Sequence, residues 1–103
     1  MVKLLNWNIR GLGTSVKRRF LSDILKDNSI DIVGIQETKK EQFKSRTLHA
    51  LSFSINQWIV KPSVGASGGI LLGYNDSLLS LISSVIGSFS ITAHFRNKQD
   101  NFE

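Results

Sequence analysis

Two apolar runs, Val2 to Ile9 and Ile30 to Gln36, each end in polar residues, and a helical pattern separates them. In the first, Lys3, Leu5, Trp7 and Ile9 share one parity. Val2, Leu4, Asn6, Asn8 and Arg10 share the other, which turns polar toward its C-terminal end. Alternation of period two predicts a strand. Gly11 and Gly13 break it. Thr14 or Ser15 is then expected to cap a helix, with Val16, Phe20, Leu21, Ile24 and Leu25 as its buried stripe. Lys17, Arg18, Arg19, Asp23 and Lys26 fall on the wet face, and Asp27-Asn28 is expected to end the helix, Asn serving as a left-handed stop. Ile30 to Gln36 is apolar on both parities apart from Asp31, the pattern of an interior strand covered on both sides. Strand, helix, strand in this order reads as a right-handed crossover between parallel neighbours. That topology sets Asn8 and Glu37 side by side at the carboxyl ends of the two strands.

Further along, Thr38-Lys39-Lys40-Glu41 has the spacing of a capping box and predicts a second helix to about Leu51, with Phe43 and Leu48 inward. Ile55 to Val60 reads as a strand stopped by Pro62, Ser63 to Gly69 as a small-residue loop, and Gly69 to Tyr74 as a short strand before an Asn75-Asp76 turn. From Ser88 the alternation is clean: Phe89, Ile91, Ala93 and Phe95 face one way, Ser90, Thr92, His94 and Arg96 the other. Leu78 to Ile86 is its expected hairpin partner. No repeat or linker divides the chain. The fold class is α/β.

Length and composition narrow the function classes only modestly. A chain of 103 residues makes one small domain. Folding at this size buries roughly 60–70% of the surface exposed by the unfolded chain, so the core is thin. With 41% hydrophobic and 20% charged residues, disorder is not the default. There is no Cys, which removes disulfide-linked partners and thiolate metal sites. Asn6, Asn8 and Arg10 interrupt any apolar leader, and the tract Leu78 to Phe95 is studded with Ser. Neither a signal peptide nor a membrane span is expected. An intracellular setting fits these features without following from them and is the expectation, nuclear if the protein is functional. The net charge of +5 favours a polyanionic partner without identifying it.

The candidate chemistry lies at the strand ends. A Glu closing a nearly uncharged strand is costly unless something cationic meets it, and a hard divalent cation such as Mg²⁺ takes oxygen ligands of this kind. Glu37 could equally be a helix-start carboxylate favoured by the dipole, and Asn8 a strand-end residue capping a turn. Lys39, Lys40, Lys44 and Arg46 follow Glu37 and suit either a DNA backbone or a solvated helix face. Ser67-Gly68-Gly69 is either a close backbone approach or a plain tight turn. Asn75-Asp76-Ser77 matches a glycosylation sequon, which carries no weight without a signal peptide.

Three segments together carry a resemblance: Leu5-Asn-Trp-Asn-Ile-Arg-Gly-Leu12, Asp31-Ile-Val-Gly-Ile-Gln-Glu-Thr38 and Gly65-Ala-Ser-Gly-Gly-Ile-Leu-Leu72. In order and spacing they resemble the endonuclease/exonuclease/phosphatase superfamily, and most nearly the apurinic-endonuclease-like domain that opens plant LINE-type reverse transcriptases. The resemblance implies a four-layered α/β sandwich of two packed mixed sheets with outer helices, hydrolysing phosphodiesters with Mg²⁺ or Mn²⁺. It implies that Glu37 ligates the metal and that Asn8 orients the metal, its water or the scissile phosphate. Many repair-type members carry an acidic residue where this chain has Arg10. An Arg cannot ligate a cation but can hold a phosphate oxygen, so the departure points toward the retroelement branch. Lys39 and Lys40 are candidates for the DNA backbone.

The same resemblance implies that much is absent. The family's Tyr-Gly-Pro strand, its Asp-x-Asn pair and its terminal Ser-Asp-His have no counterpart here. His49 and His94 sit in no such context. The chain is therefore expected to be the N-terminal half of such a domain, with the C-terminal half as its missing partner and negligible catalysis alone. Three rivals stand beside this reading: a basic nucleic-acid-binding module, a non-functional structural remnant, and a phosphatase of the same superfamily.

Overall fold

The computed structural model describes residues 2–13, 15–52, 54–64, 68–87 and 90–99. Strand β1 is Leu4–Asn8, helix α1 Ser15–Asp27, β2 Ile32–Gln36 and α2 Ser45–Leu51; then follow β3 Gln57–Lys61, β4 Ile70–Tyr74, β5 Leu79–Ile86 and β6 Ile91–Asn97. A four-stranded mixed sheet runs in the order β1-β2-β4-β3, and β5 pairs with β6 in a separate antiparallel ribbon. The fold class is α/β, as the periodicity predicts.

The β1–β2 pair is parallel, with Leu4 opposite Ile32 and Asn8 opposite Gln36. The crossover is α1, ended by a Schellman arrangement: Ser29 N–H donates to the Lys26 carbonyl and Ile30 N–H to that of Leu25. The left-handed residue is Ser29, at φ 50°, rather than Asn28, whose side-chain amide instead donates back to the Ile24 carbonyl. Leu25 and Ile30 are both buried, giving the stop its usual apolar contact.

The core lies between the sheet and the helices. Leu21, Leu25, Val33, Ile35, Leu51, Ile55 and Leu71 form it, with Leu5, Trp7 and Trp58 packed against it. Gly73 makes room for the Trp58 ring, since a Cβ there would overlap the ring and also approach Ile55. The expected stripe on α1 is wider than the real one. Leu21 and Leu25 are buried, whereas Val16 and Phe20 are exposed, at 76% and 56%. Helical spacing identifies neighbours on the helix surface, but the sheet and α2 cover only one side of it. Phe20 meets Trp7 in a tilted ring contact, centroids 5.6 Å apart.

The second helix is also shorter than the capping box predicts. Residues 37–44 are irregular, and α2 begins only at Ser45, with extended Lys44 as an N-cap that makes no side-chain bond. The residues of the apparent box are engaged elsewhere, in contacts that belong to the candidate site. Leu48 is buried and Phe43 packs on the core, as expected.

The opposite face of the sheet carries Asn6, Asn8, Gln36, Ile70, Leu72 and Tyr74. The β5–β6 ribbon touches this face: Phe95 meets Tyr74 edge-on at 4.9 Å, and Ser90 and Ile91 line a small cleft with Asn6, Gly34, Ile70 and Leu72. Gly34 leaves space for the Asn6 side chain above it. On β6 the alternation holds, Ile91, Ala93 and Phe95 being less exposed than Thr92, His94 and Arg96; Phe89 lies outside the described residues.

Candidate active-site edge

Asn8 ends β1 and Glu37 follows the last residue of β2, so parallel pairing brings both to one end of the sheet. Three loops meet there: that between β1 and α1, that after β2, and that entering β4. The pairing continues past the strands as a backbone ladder. Ile9 N–H donates to the Gln36 carbonyl at 3.1 Å, Gly11 to Glu37 at 2.7 Å and Leu12 to Thr38 at 2.9 Å. On the far side, Thr38 N–H donates to the Gly69 carbonyl at 3.1 Å, Lys39 to Gly68 at 2.8 Å and Ser63 to Lys40 at 2.9 Å. A helix starting at Thr38 would need the Thr38 and Lys40 carbonyls as acceptors, but these already accept from Leu12 and Ser63, and Lys39 is left-handed, so no helix forms there.

Every described residue with a left-handed backbone, Ser29 excepted, lies in these loops: Arg10 (φ 54°), Gly11 (107°), Glu37 (55°), Lys39 (57°), Gly68 (74°) and Gly69 (92°). For non-glycine residues this conformation is uncommon and unfavourable, and such strain concentrates where a surrounding structure imposes it for use. Thr38, fully buried, sits at the centre, its hydroxyl accepting weakly from the Lys40 N–H at 3.4 Å. Gly69 approaches so closely that a Cβ would collide with the Thr38 Oγ1. Gly69 therefore serves a close backbone approach; Ser67 lies outside the described residues.

Of the candidate residues, Asn8, Arg10 and Lys39 are exposed and Glu37 and Lys40 half-buried. The Lys40 ammonium lies 5.6 Å from the centre of the Phe43 ring, a cation–π distance. Lys44 closes the irregular stretch that carries Lys39 as the N-cap of α2, and Arg46 lies in the first turn of that helix. Sequence periodicity misplaces Lys17, which is half-buried rather than on the wet face: its Nζ donates to the carbonyls of Ile9 (3.0 Å) and Arg10 (2.9 Å). It thereby braces the turn that presents Arg10. Arg18 acts similarly on the next residues, donating to the Gly13 carbonyl at 2.9 Å. A single basic side chain in the first turn of a helix gives no sign in sequence of such a brace.

The donor set suits a hard cation in part. One carboxylate and one amide oxygen share the edge, but among the described residues no group of three or more His, Cys, Asp or Glu could hold a metal. Two oxygens are compatible with a Mg²⁺ that keeps waters, and would need further ligands to define a catalytic site.

The sequence profile of the endonuclease/exonuclease/phosphatase family matches residues 5–102, and the chain belongs to that family. Solved structures share its fold, among them two DNA-processing enzymes. An AP endonuclease from Archaeoglobus fulgidus superposes with a TM-score of 0.68 at 20% identity, over 90% of this chain and 37% of that one. A 3′ phosphatase, NExo, from Neisseria bound to a product DNA hairpin gives 0.67 at 18% identity, over 95% and 41%. The chain thus spans about two-fifths of the enzymes it resembles in structure. No curated protein matches it. Among the described residues no helix is long and apolar enough to cross a membrane.

Proposed function

We propose that these residues are the N-terminal part of a Mg²⁺- or Mn²⁺-dependent DNA endonuclease domain of retroelement type. Asn8 and Glu37 would supply two oxygens of the metal site, and Arg10, Lys39 and Lys40 would hold backbone phosphates. The bound cation would offset charge developing on the phosphate and ease departure of the leaving oxygen. The observation that carries the reading is the strained, ladder-bonded edge where Asn8 and Glu37 end adjacent parallel strands. The retroelement branch rests on Arg10, a residue suited to phosphate and unsuited to metal. The setting would be nuclear.

Among the described residues no general base stands beside these donors, so the 103-residue chain should bind metal without turnover. In an isotope-labelled sample, Mn²⁺ should broaden the amide signals of residues 8–11 and 36–39, and Glu37→Gln should remove most of that effect. Broadening that survives Glu37→Gln would refute the ligand assignment. Plasmid nicking in Mg²⁺ by the chain alone, abolished by Glu37→Ala, would refute its inactivity. The equal similarity to a 3′ phosphatase supports a second reading, in which the ester is a terminal phosphate. Release of inorganic phosphate from a 3′-phosphorylated oligonucleotide by a chain extended to the full domain, with plasmid left intact, would favour it.

A further inference from the structure

A second basic feature lies away from the strand ends, on the outer helical layer. Between α1 and α2 runs a cleft of about 400 Å³ lined by Arg18, Arg19, Ser22, Arg46, Thr47 and Ala50, with Leu51 at its floor. Three arginines, a serine and a threonine line it, and no acidic residue does. Arg18 is held by the carbonyls of Leu12 and Gly13, so part of the ordering cost of binding has already been met in folding. The side chains of Arg19 and Arg46 make no hydrogen bond or ion pair among the described residues. Three like charges gathered without compensation repel one another, an arrangement that an anion relieves.

We propose that this cleft is a phosphate-backbone track for nucleic acid, separate from the metal edge and independent of the metal reading. Guanidinium groups match phosphate oxygens bidentately, and the flanking hydroxyls donate to the same oxygens. The cleft is also too long for one free phosphate. Past Ser22, Ala50 and Leu51 it opens into a wider groove of about 620 Å³ that continues along α1 to Ser29 and beyond α2 to Ser54. Asp23, Lys26 and His49 line that second part, so the positive potential is concentrated in the first. A membrane surface fits less well. The exposed apolar residues of α1, Val16 and Phe20, do not line the cleft, so the arginines have no apolar anchor within it and charge alone would give only weak attraction to a bilayer surface.

The test is binding of a fluorescein-labelled DNA duplex to the full 103-residue chain, by anisotropy in EDTA across a salt series. EDTA keeps the readout from passing through a metal, so failure of this proposal stays distinct from failure of the metal assignment. The double reversal Arg19→Glu/Arg46→Glu should weaken binding at least about tenfold at low salt and shrink the log–log salt slope by about 2, at about 0.9 per lost contact. If that variant does not give the parent's circular dichroism, Arg19→Gln/Arg46→Gln is read instead, with a slope change of the same sign. Unchanged affinity in the folded variant overturns the proposal, as does binding that depends solely on Lys39 and Lys40. Loss of binding to phosphatidylserine vesicles with DNA affinity intact would assign the cleft to a membrane and equally overturn it.

Discussion

Replacing Gly69 with alanine should damage the protein more than the same change at Gly68, although the two are adjacent and both left-handed. At Gly68 (φ 74°) a Cβ meets nothing within 4 Å, so only backbone strain is added. That is about 1–2 kcal/mol for a single left-handed residue. At Gly69 (φ 92°) the same strain is joined by a collision with Thr38 Oγ1 and by contacts of 3.3 Å with the Lys39 nitrogen and the Ser63 Cβ. Thr38 is fully buried and its neighbours are tied by backbone hydrogen bonds, so nothing nearby is a flexible side-chain end. Overpacking of that kind adds about 1–3 kcal/mol. The total, about 2–5 kcal/mol, is a large share of the roughly 5–15 kcal/mol that holds a small domain together. Thermal unfolding followed by circular dichroism should separate the two variants by roughly 4–24 °C, at about 4–8 °C per kcal/mol for a domain of this size. Thr38→Ala should recover part of the Gly69→Ala loss, because it removes the atom struck; contacting pairs couple by about 0.5–3 kcal/mol. Equal destabilisation by Gly68→Ala and Gly69→Ala, or strict additivity of Gly69→Ala with Thr38→Ala, would refute the claim that close approach at Gly69 seats the loop carrying Glu37.

Other consequences are more local. Leu21→Ala should cost about 2–5 kcal/mol by opening a cavity in the core, whereas Phe20→Ala, one residue away and largely exposed, should cost well under that; denaturant midpoints that rank them the other way would contradict the packing of α1. Tyr74, the chain's sole tyrosine, has its hydroxyl pKa raised above 10.0 by burial first and by the Asp76 charge second. A raised folded-state value means that the associated stability is fully present below pH 10.0 and is lost as pH climbs through the folded value. Tyrosinate absorbance should therefore titrate late, Asp76→Asn should bring the midpoint part of the way back, and Tyr74→Phe should remove this component of alkaline destabilisation. Ile82, Val85 and Ile86 on β5 are 43%, 65% and 52% exposed in an almost uncharged strand, so the chain alone should associate, and Val85→Lys should raise the monomer fraction in size-exclusion chromatography. A sharp cooperative melt of a monomeric parent would count against that.

The short-range chemistry of the chain is legible one element at a time. Alternation marks β1 and β6, and the uncharged run marks β2 as interior because a strand covered on both faces has no polar parity. The single crossover then leaves parallel pairing of β1 and β2, which suffices to put Asn8 and Glu37 at one edge. What fails is the reading of local signals that compete with distant partners. Thr38-Lys39-Lys40-Glu41 has the spacing of a helix start, yet the Thr38 and Lys40 carbonyls that a helix would use already accept from Leu12 and Ser63, both distant in sequence. Val16 and Phe20 repeat at helical spacing, but that spacing cannot say which side of α1 the sheet covers.

The sequence by itself thus determined the elements, the parallel pair and the superfamily, because each depends on residue periodicity or on motifs read within a few positions. Tertiary structure alone decided the rest: the left-handed turn at Glu37, the brace from Lys17 to the β1 loop, and the arginine-lined cleft between α1 and α2. Each of these joins residues distant in sequence, and no local propensity encodes a hydrogen bond or a juxtaposition of charge whose partner is supplied by another part of the fold.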